Sequence, residues 1–138
     1  NKAVSRQWHE AWGTSGITAA YAECLAPEFT AEFFGQGTVD RATYIARDQE
    51  FAAGFSDIRM TVEELAAEGD RVMVRMTWRG RHTGDALGFP ATGRRFEVAG
   101  FAVDRFRSGK VIAHVPLFDQ LGLLRQLGVA AVPEGYPG

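Results

Sequence analysis

Three side chains in the last third of the chain, Asp104, His114 and Asp119, have the types and positions to move a proton. A carboxylate or imidazole in an apolar surrounding can take and return protons near neutral pH, because burial shifts its pKa toward that range. Asp119 stands where an apolar run, Lys110 to Phe118, meets a leucine-rich segment, and it is the first candidate for a general acid/base. The same position makes it a good helix N-cap, a structural use worth about 1 kcal/mol that competes for the same oxygens. Asp104 is the one acid on an otherwise apolar alternating row of Phe96, Val98, Gly100, Ala102 and Phe106. An acid buried there must be paired, protonated or near the open end of the sheet. His114 shares its row with Ile112, Pro116 and Phe118, whereas Asp119 is in phase with the opposite row. The two meet only if a bulge at Pro116 re-aims the chain.

The strand before these sets Val72, Val74, Met76, Trp78, Gly80 and His82 on one face and Arg71, Arg75, Arg79 and Arg81 on the other. The arginines mark the wet face, so His82 falls on the apolar side at the strand end. There it is either a cavity residue or a histidine bonded to nearby backbone. Trp12, Tyr44, Trp78, Phe101 and Phe118 are candidate walls of an aromatic pocket, with His82 as a polar member. Arg105 joins them only if a bulge turns it inward. Plain core packing accounts for many of the same rings.

The elements that must position these residues follow from periodicity. Val4, Trp8, Ala11 and Trp12 recur at helical spacing up to Gly13, and a second helix runs from Ile17 to Leu25, closed by Pro27. Phe29, Ala31 and Phe33 alternate as a strand up to the Gly35-Gln-Gly37 turn. Asp40 then caps a helix carrying Tyr44, Ile45, Asp48, Phe51, Ala52 and Phe55 near one face, ending at Gly54. From Ile58 the period becomes two, which predicts strands over Ile58 to Ala67, Arg71 to His82, Arg95 to Arg107 and Lys110 to Phe118. Glu68-Gly-Asp70 and Ser108-Gly109 read as hairpin turns, and Thr83 to Gly93 as a long loop. Helices first and a bent antiparallel sheet afterwards is an α+β pattern whose concave side encloses an apolar pocket. A single domain over 1–138 is expected, with 129–138 as a C-terminal tail.

With 138 residues, 46% of them apolar, the chain can build a core without staples, and its net charge of −2 comes without a basic run. Nucleic acid and a membrane surface are therefore not the expected partners; a hydrophobic small molecule or another protein is. Cys24 has no second cysteine to pair with and reads as a buried thiol. Neither a signal peptide nor an apolar run of roughly 18 residues is evident, and the expected location is the cytoplasm. One cysteine, scattered histidines and no glycine-rich phosphate loop point to chemistry without a metal or organic cofactor.

The runs Arg81-His-Thr-Gly-Asp85, Gly88-Phe-Pro-Ala-Thr-Gly-Arg-Arg95, Phe106-Arg-Ser-Gly-Lys110 and Phe118-Asp-Gln-Leu-Gly-Leu-Leu-Arg-Gln-Leu-Gly128 resemble the SnoaL-like polyketide cyclases of the NTF2-like superfamily. The resemblance implies a cone-shaped roll, with a strongly curved sheet wrapped around the N-terminal helices. It also implies intramolecular aldol closure of an aromatic polyketide ester, with an aspartate at the end of the last strand as acid/base, a position matched by Asp119. His114 stands where the family commonly carries glutamate, and Pro116 also departs from its pattern. Asp104 is similar in position to a neutral, oxyanion-binding acid of the ketosteroid isomerase relatives. The resemblance further implies a homodimer or homotetramer. Alternatives within it are a polyketide hydroxylase or oxygenase and an epoxide hydrolase, for which Asp104, Arg105 and Asp119 supply the residue types. A non-catalytic ligand-binding or dimerisation module is the remaining alternative, one that a cavity filled by its own side chains would favour.

Overall fold

The computed structural model describes residues 1–131 and 133–135. Part of the expected tail, residue 132 and residues 136–138, lies outside the described residues. The elements are α1 (Lys2–Ala11), α2 (Ile17–Cys24), β1 (Leu25–Phe33), β2 (Gly37–Asp40), α3 (Arg41–Ala52), β3 (Phe55–Glu68), β4 (Arg71–His82), β5 (Arg95–Arg107), β6 (Lys110–Phe118) and α4 (Gln120–Gln126). One six-stranded sheet runs in the order β2-β1-β6-β5-β4-β3. Every pairing is antiparallel except β1 with β6, which is parallel and brings the first long strand beside the last. The architecture is the expected α+β roll, with that one pairing departing from a wholly antiparallel sheet.

The row assignments of β4 and β5 hold throughout. Residues 72 to 82 and 96 to 106 alternate between buried even positions and outward odd ones. Val72, Val74 and Met76 are almost fully buried, and each such side chain contributes about 1.5–3 kcal/mol relative to exposure. Asp40 caps α3 as expected, accepting from the Thr43 N–H at 2.8 Å. The Ser108-Gly109 hairpin takes positive φ at both residues, the conformation of a tight turn that matches strand twist.

Three boundaries differ from the sequence reading. The second helix ends at Cys24, and Pro27 lies inside β1 rather than after the helix. It is tolerated because β1 loses register with β6 between Leu25 and Thr30, while β2 pairs only from Thr30 onward. A missing N–H costs no ladder bond there. β2, four residues long, was too short to show a period. β3 begins at Phe55 rather than Ile58, because a register irregularity between Ser56 and Arg59, with Asp57 at φ 51°, breaks the alternation at its start.

α1 lies across β3. At a second β3 irregularity, between Val62 and Glu64, the Val62 N–H donates to Glu10 Oε1 at 3.1 Å and its carbonyl accepts from Arg6 Nη1 at 3.2 Å. These bonds fix the helix face that carries Ser5, Trp8, His9 and Trp12 over the inner side of the sheet.

Candidate active site

Asp104 is the focus of the inner face. Its register partner on β6 is His114 and on β4 is Val72. Because they stand directly opposite each other in register, Asp104 and His114 point to the same side, and His114 Nδ1 lies 2.8 Å from Asp104 Oδ1. From above, α1 presents two residues one helical turn apart. Ser5 Oγ donates to Asp104 Oδ2 at 2.8 Å, and His9 Nε2 lies 2.8 Å from the same oxygen. Asp104 and Ser5 are fully buried, while His114 is 4% and His9 7% exposed. Three donors thus converge on one carboxylate, which answers the cost of burying it.

Burial on its own pushes the Asp104 carboxyl up. The attraction of His9 and the hydrogen bonds from His114 and His9 outweigh it, so Asp104 is held well below the usual carboxylate range. His114 moves the other way: burial lowers its pKa, and the bond to Asp104 only partly offsets that. With Nδ1–H committed to an ionised Asp104, a neutral His114 carries its lone pair on Nε2, which bonds to none of the described residues. Trp8 stacks on His9 at 4.5 Å between ring centroids and meets His114 edge-on at 4.6 Å, and Tyr44 lies 5.9 Å from His114.

A second carboxylate, Asp48 on α3, is held by different chemistry. Trp12 Nε1 donates to its Oδ1 at 3.0 Å, and the Tyr21 hydroxyl donates to its Oδ2. Burial raises the Asp48 pKa to about 6 against these two bonds. The Tyr21 phenol is pushed well above its ordinary value by burial and by Asp48. This cluster ties α1, α2 and α3 together at the edge of an open groove of about 340 Å³, lined by Trp12, Tyr21 and Phe55 among others.

The expected site residues divide cleanly. Trp12, Tyr44, Trp78 and His82 are buried, and Phe118 packs against them from the end of β6, covering Gly100, where a Cβ would come within 2.3 Å of its ring. Phe101 is 57% exposed on the outer face of the sheet, paired with Leu117, and is not a pocket wall. Arg105 also faces outward, donating to Asp70 Oδ2 at 2.8 Å. A register shift does occur between Arg105 and Phe106, but it leaves Arg105 on the outer row. Asp119 does not join Asp104 and His114. It is exposed and caps α4, accepting from the Gly122 N–H at 2.8 Å. Pro116 pairs with Ala102 without a bulge, so nothing re-aims the chain before Asp119. Nor is the interior a roomy pocket: Trp12, Phe51, Phe55, Trp78, Phe96 and Phe118 fill the cone with ring contacts.

Ser5, His9, Asp48 and Tyr21 were not singled out from the sequence. For Ser5 and His9 the signal was present: both fall on the stripe of Trp8 and Trp12, and a polar pair on an apolar helix face implies a buried partner. His9, Asp104 and His114 are also residue types that hold divalent metals, with their ligating atoms within 4.8 Å of one another. Each imidazole nitrogen, however, sits at hydrogen-bond distance from a different carboxylate oxygen. That geometry suits shared protons, and no common point for an ion is marked out.

Residues 2–127 match the family described as SnoaL-like polyketide cyclase. The chain belongs to that family. Among its relatives, the aklanonic acid methyl ester cyclase DauD of Streptomyces sp. (strain C5) is 31% identical over 95% of this chain and 84% of DauD. The aklanonic acid methyl ester cyclase DnrD of Streptomyces peucetius is 32% identical over 76% of this chain and 79% of DnrD. The structure of TsrD from Streptomyces laurentii superposes with a TM-score of 0.81 at 30% identity, covering 93% of this chain and 94% of TsrD. The SnoaL-like fold thus accounts for the roll, the wrapped helices and the inward row that carries Asp104. No helix among the described residues is long and apolar enough to cross a membrane.

Proposed function

We propose that this protein closes a ring in an aromatic polyketide ester by intramolecular aldol chemistry, with His114 as general base, Asp104 as its orienting partner and no cofactor. The observation that carries this reading is the 2.8 Å contact from His114 Nδ1 to a buried Asp104. It leaves Nε2 as the basic nitrogen and stabilises the imidazolium once a proton arrives. A carbon between a ring ketone and an ester gives up its proton to Nε2, and the electron pair left on carbon delocalises into both carbonyls. That carbon attacks a second carbonyl of the same molecule, and the new alkoxide takes the proton back. Atoms are conserved, so product and substrate have equal mass. His9, on the other oxygen of Asp104, helps keep the carboxylate ionised. His114 is 4% exposed, with Trp8, Phe29 and Tyr44 packed around its ring. Asp119 serves in this reading as the cap of α4.

His114→Gln is expected to lower turnover of an anthraquinone-type polyketide ester about 10²–10⁴-fold, with the fold retained by circular dichroism. Mass spectrometry reads the outcome. A product of unchanged mass and shifted retention, lost in the variant, supports the assignment; full activity in the variant ends it. The filled interior favours a non-catalytic module instead, and no turnover of any such ester by wild type would support that. A gain of one oxygen would indicate the hydroxylase reading.

Self-association belongs to the same proposal. Met73, Phe101 and Leu117 are 45%, 57% and 56% exposed on the outer face, and Phe101 and Leu117 are register partners. Exposed aromatic and aliphatic side chains grouped on one sheet face suit a second copy of this chain. Phe101→Glu should convert a dimer into a monomer in light scattering; a wild-type monomer would rule the interface out.

A further inference from the structure

We propose that Trp78 and His82 are the hydrogen-bond donors that hold the ring carbonyl oxygens of a flat aromatic ligand against the inner face of β4. The inference takes its ligand class from the cyclase reading, and its donors from geometry independent of His114.

Both residues lie on the inward row of β4, Trp78 at 3% and His82 at 0% exposure. The His82 tautomer follows from its neighbours. Its Nδ1 accepts the Thr92 backbone N–H at 3.1 Å and lies 3.1 Å from Thr92 Oγ1. A nitrogen that accepts an amide proton carries none of its own, so the proton is on Nε2. That Nε2–H is buried and meets no acceptor among the described residues, and the same is true of the Trp78 Nε1–H. An unmet buried donor costs about 1–3 kcal/mol. Trp12 Nε1, by contrast, bonds Asp48, and His9 and His114 each bond Asp104 through one nitrogen; Arg41 Nε is the other buried side-chain group left without a partner among the described residues.

The surroundings define what could satisfy the pair. Phe55 lies 4.9 Å from Trp78 and 5.7 Å from His82 between ring centroids, Phe96 lies 4.6 Å from Trp78, and Phe89 lies 5.2 Å from His82. Between the two donors stands Gly80, where a Cβ would come within 3.0 Å of the Phe96 ring. Such walls favour a flat, uncharged ring system. The two polar atoms only donate, so the ligand must bring acceptors without donors at those points, as ketone and quinone carbonyls do. Phe55, the ring shared by both donors, also lines the open groove beside Asp48, so a ligand entering from that groove reaches the donors by displacing this ring.

The test compares two probes of one outline, anthraquinone-2-carboxylate and anthracene-2-carboxylate, which differ in their ring carbonyls. Calorimetry on the intact chain should show the quinone binding about 10-fold or more tighter than the hydrocarbon. Trp78→Phe and His82→Phe should each reduce that preference about 3–10-fold, the worth of one neutral hydrogen bond, with hydrocarbon affinity unchanged. A second readout needs no variant at the donors to fold well. In wild type, one tryptophan indole ¹⁵N–¹H resonance should shift on adding the quinone and stay put with the hydrocarbon, and its absence in Trp78→Phe assigns it. Equal affinity for both probes in wild type, or no shifting indole resonance, overturns the proposal. His114→Gln separates the two readings, since it should keep the quinone preference while losing turnover.

Discussion

Asp104, fully buried, and Asp48, half-buried on α3, are carboxylates held by hydrogen bonds in one small fold, yet their proton affinities move in opposite directions. Asp104 receives two imidazoles and a hydroxyl and is held below the ordinary range. Asp48 receives an indole and a phenol and rises to about 6. Burial raises both. The difference lies in the donors: histidines can carry a positive charge that stabilises an anion through a poorly screened interior, whereas neutral Trp and Tyr donors supply only dipoles. Depth of burial therefore does not decide which acid is ionised; the chemistry of its neighbours does. Asp104 becomes a fixed negative charge that can support a histidine base, and Asp48 a group that exchanges a proton near neutrality.

Replacing each acid by its neutral isostere should separate the two most widely. Asp104→Asn removes the charge its histidines are arranged around, and breaking such a buried set costs about 3–5 kcal/mol. Asp48→Asn removes a charge that its surroundings already disfavour, so a loss of no more than about 1 kcal/mol is expected. Urea unfolding at pH 7 measures both, and equal losses would collapse the distinction.

The pH dependence of stability gives a smaller but signed contrast. Asp104 has a folded pKa below its unfolded value, so its contribution is full above the unfolded pKa and is lost as pH falls through the acid range. Asp48 has a folded pKa raised from 3.8 to about 6, so stability falls as pH rises through that window, by an amount on the order of 3 kcal/mol. His114, lowered by burial, loses stability as pH drops below its unfolded value of 6.5. Thermal melts of Asp48→Asn and wild type should therefore converge or cross between pH 4 and 7, the variant gaining on wild type as pH rises. Parallel curves would contradict the raised pKa.

The finest effect concerns one donor. Trp12→Phe removes the indole N–H from Asp48 while keeping a ring in place, and should raise the Asp48 pKa further. Carbon-13 NMR of labelled aspartate carboxyls would follow it. A pKa that falls would mean that the indole was not stabilising the anion.

How far the sequence revealed this site depended on the period of each element. On β4 and β5, strict alternation placed Trp78, His82 and Asp104 inward and Arg105 outward, and the structure agrees because one face of those strands is buried along its length. His114 was legible only in part: β6 does not alternate along its length, because the register shift between Arg105 and Phe106 lets Val111 and His114 both turn inward. The partner of His114 was hidden because cross-strand register is set by hairpin geometry. Ser5 and His9 were hidden in plain helical spacing, where attention goes to the tryptophans between them. Asp119 shows the opposite hazard: an acid at a strand-to-helix junction satisfies a cap and a catalytic motif equally well on paper, and only the path of the backbone past Pro116 separates them. β2 and the opening of β3 were lost where short length or a bulge erased the alternation.

The parallel pairing of β1 with β6 has a consequence for how the protein comes into being. Ser5 and Asp104 are 99 positions apart, and the last strand is the one that slots between β1 and β5. A nascent chain that has not yet released β6 holds a sheet with its central strand missing and Asp104 without His114. Contacts of such long separation form slowly, because much of the chain must be ordered before they contribute. The proton-handling centre is thus among the last features to assemble during synthesis, and a prematurely ended chain has no means of building it.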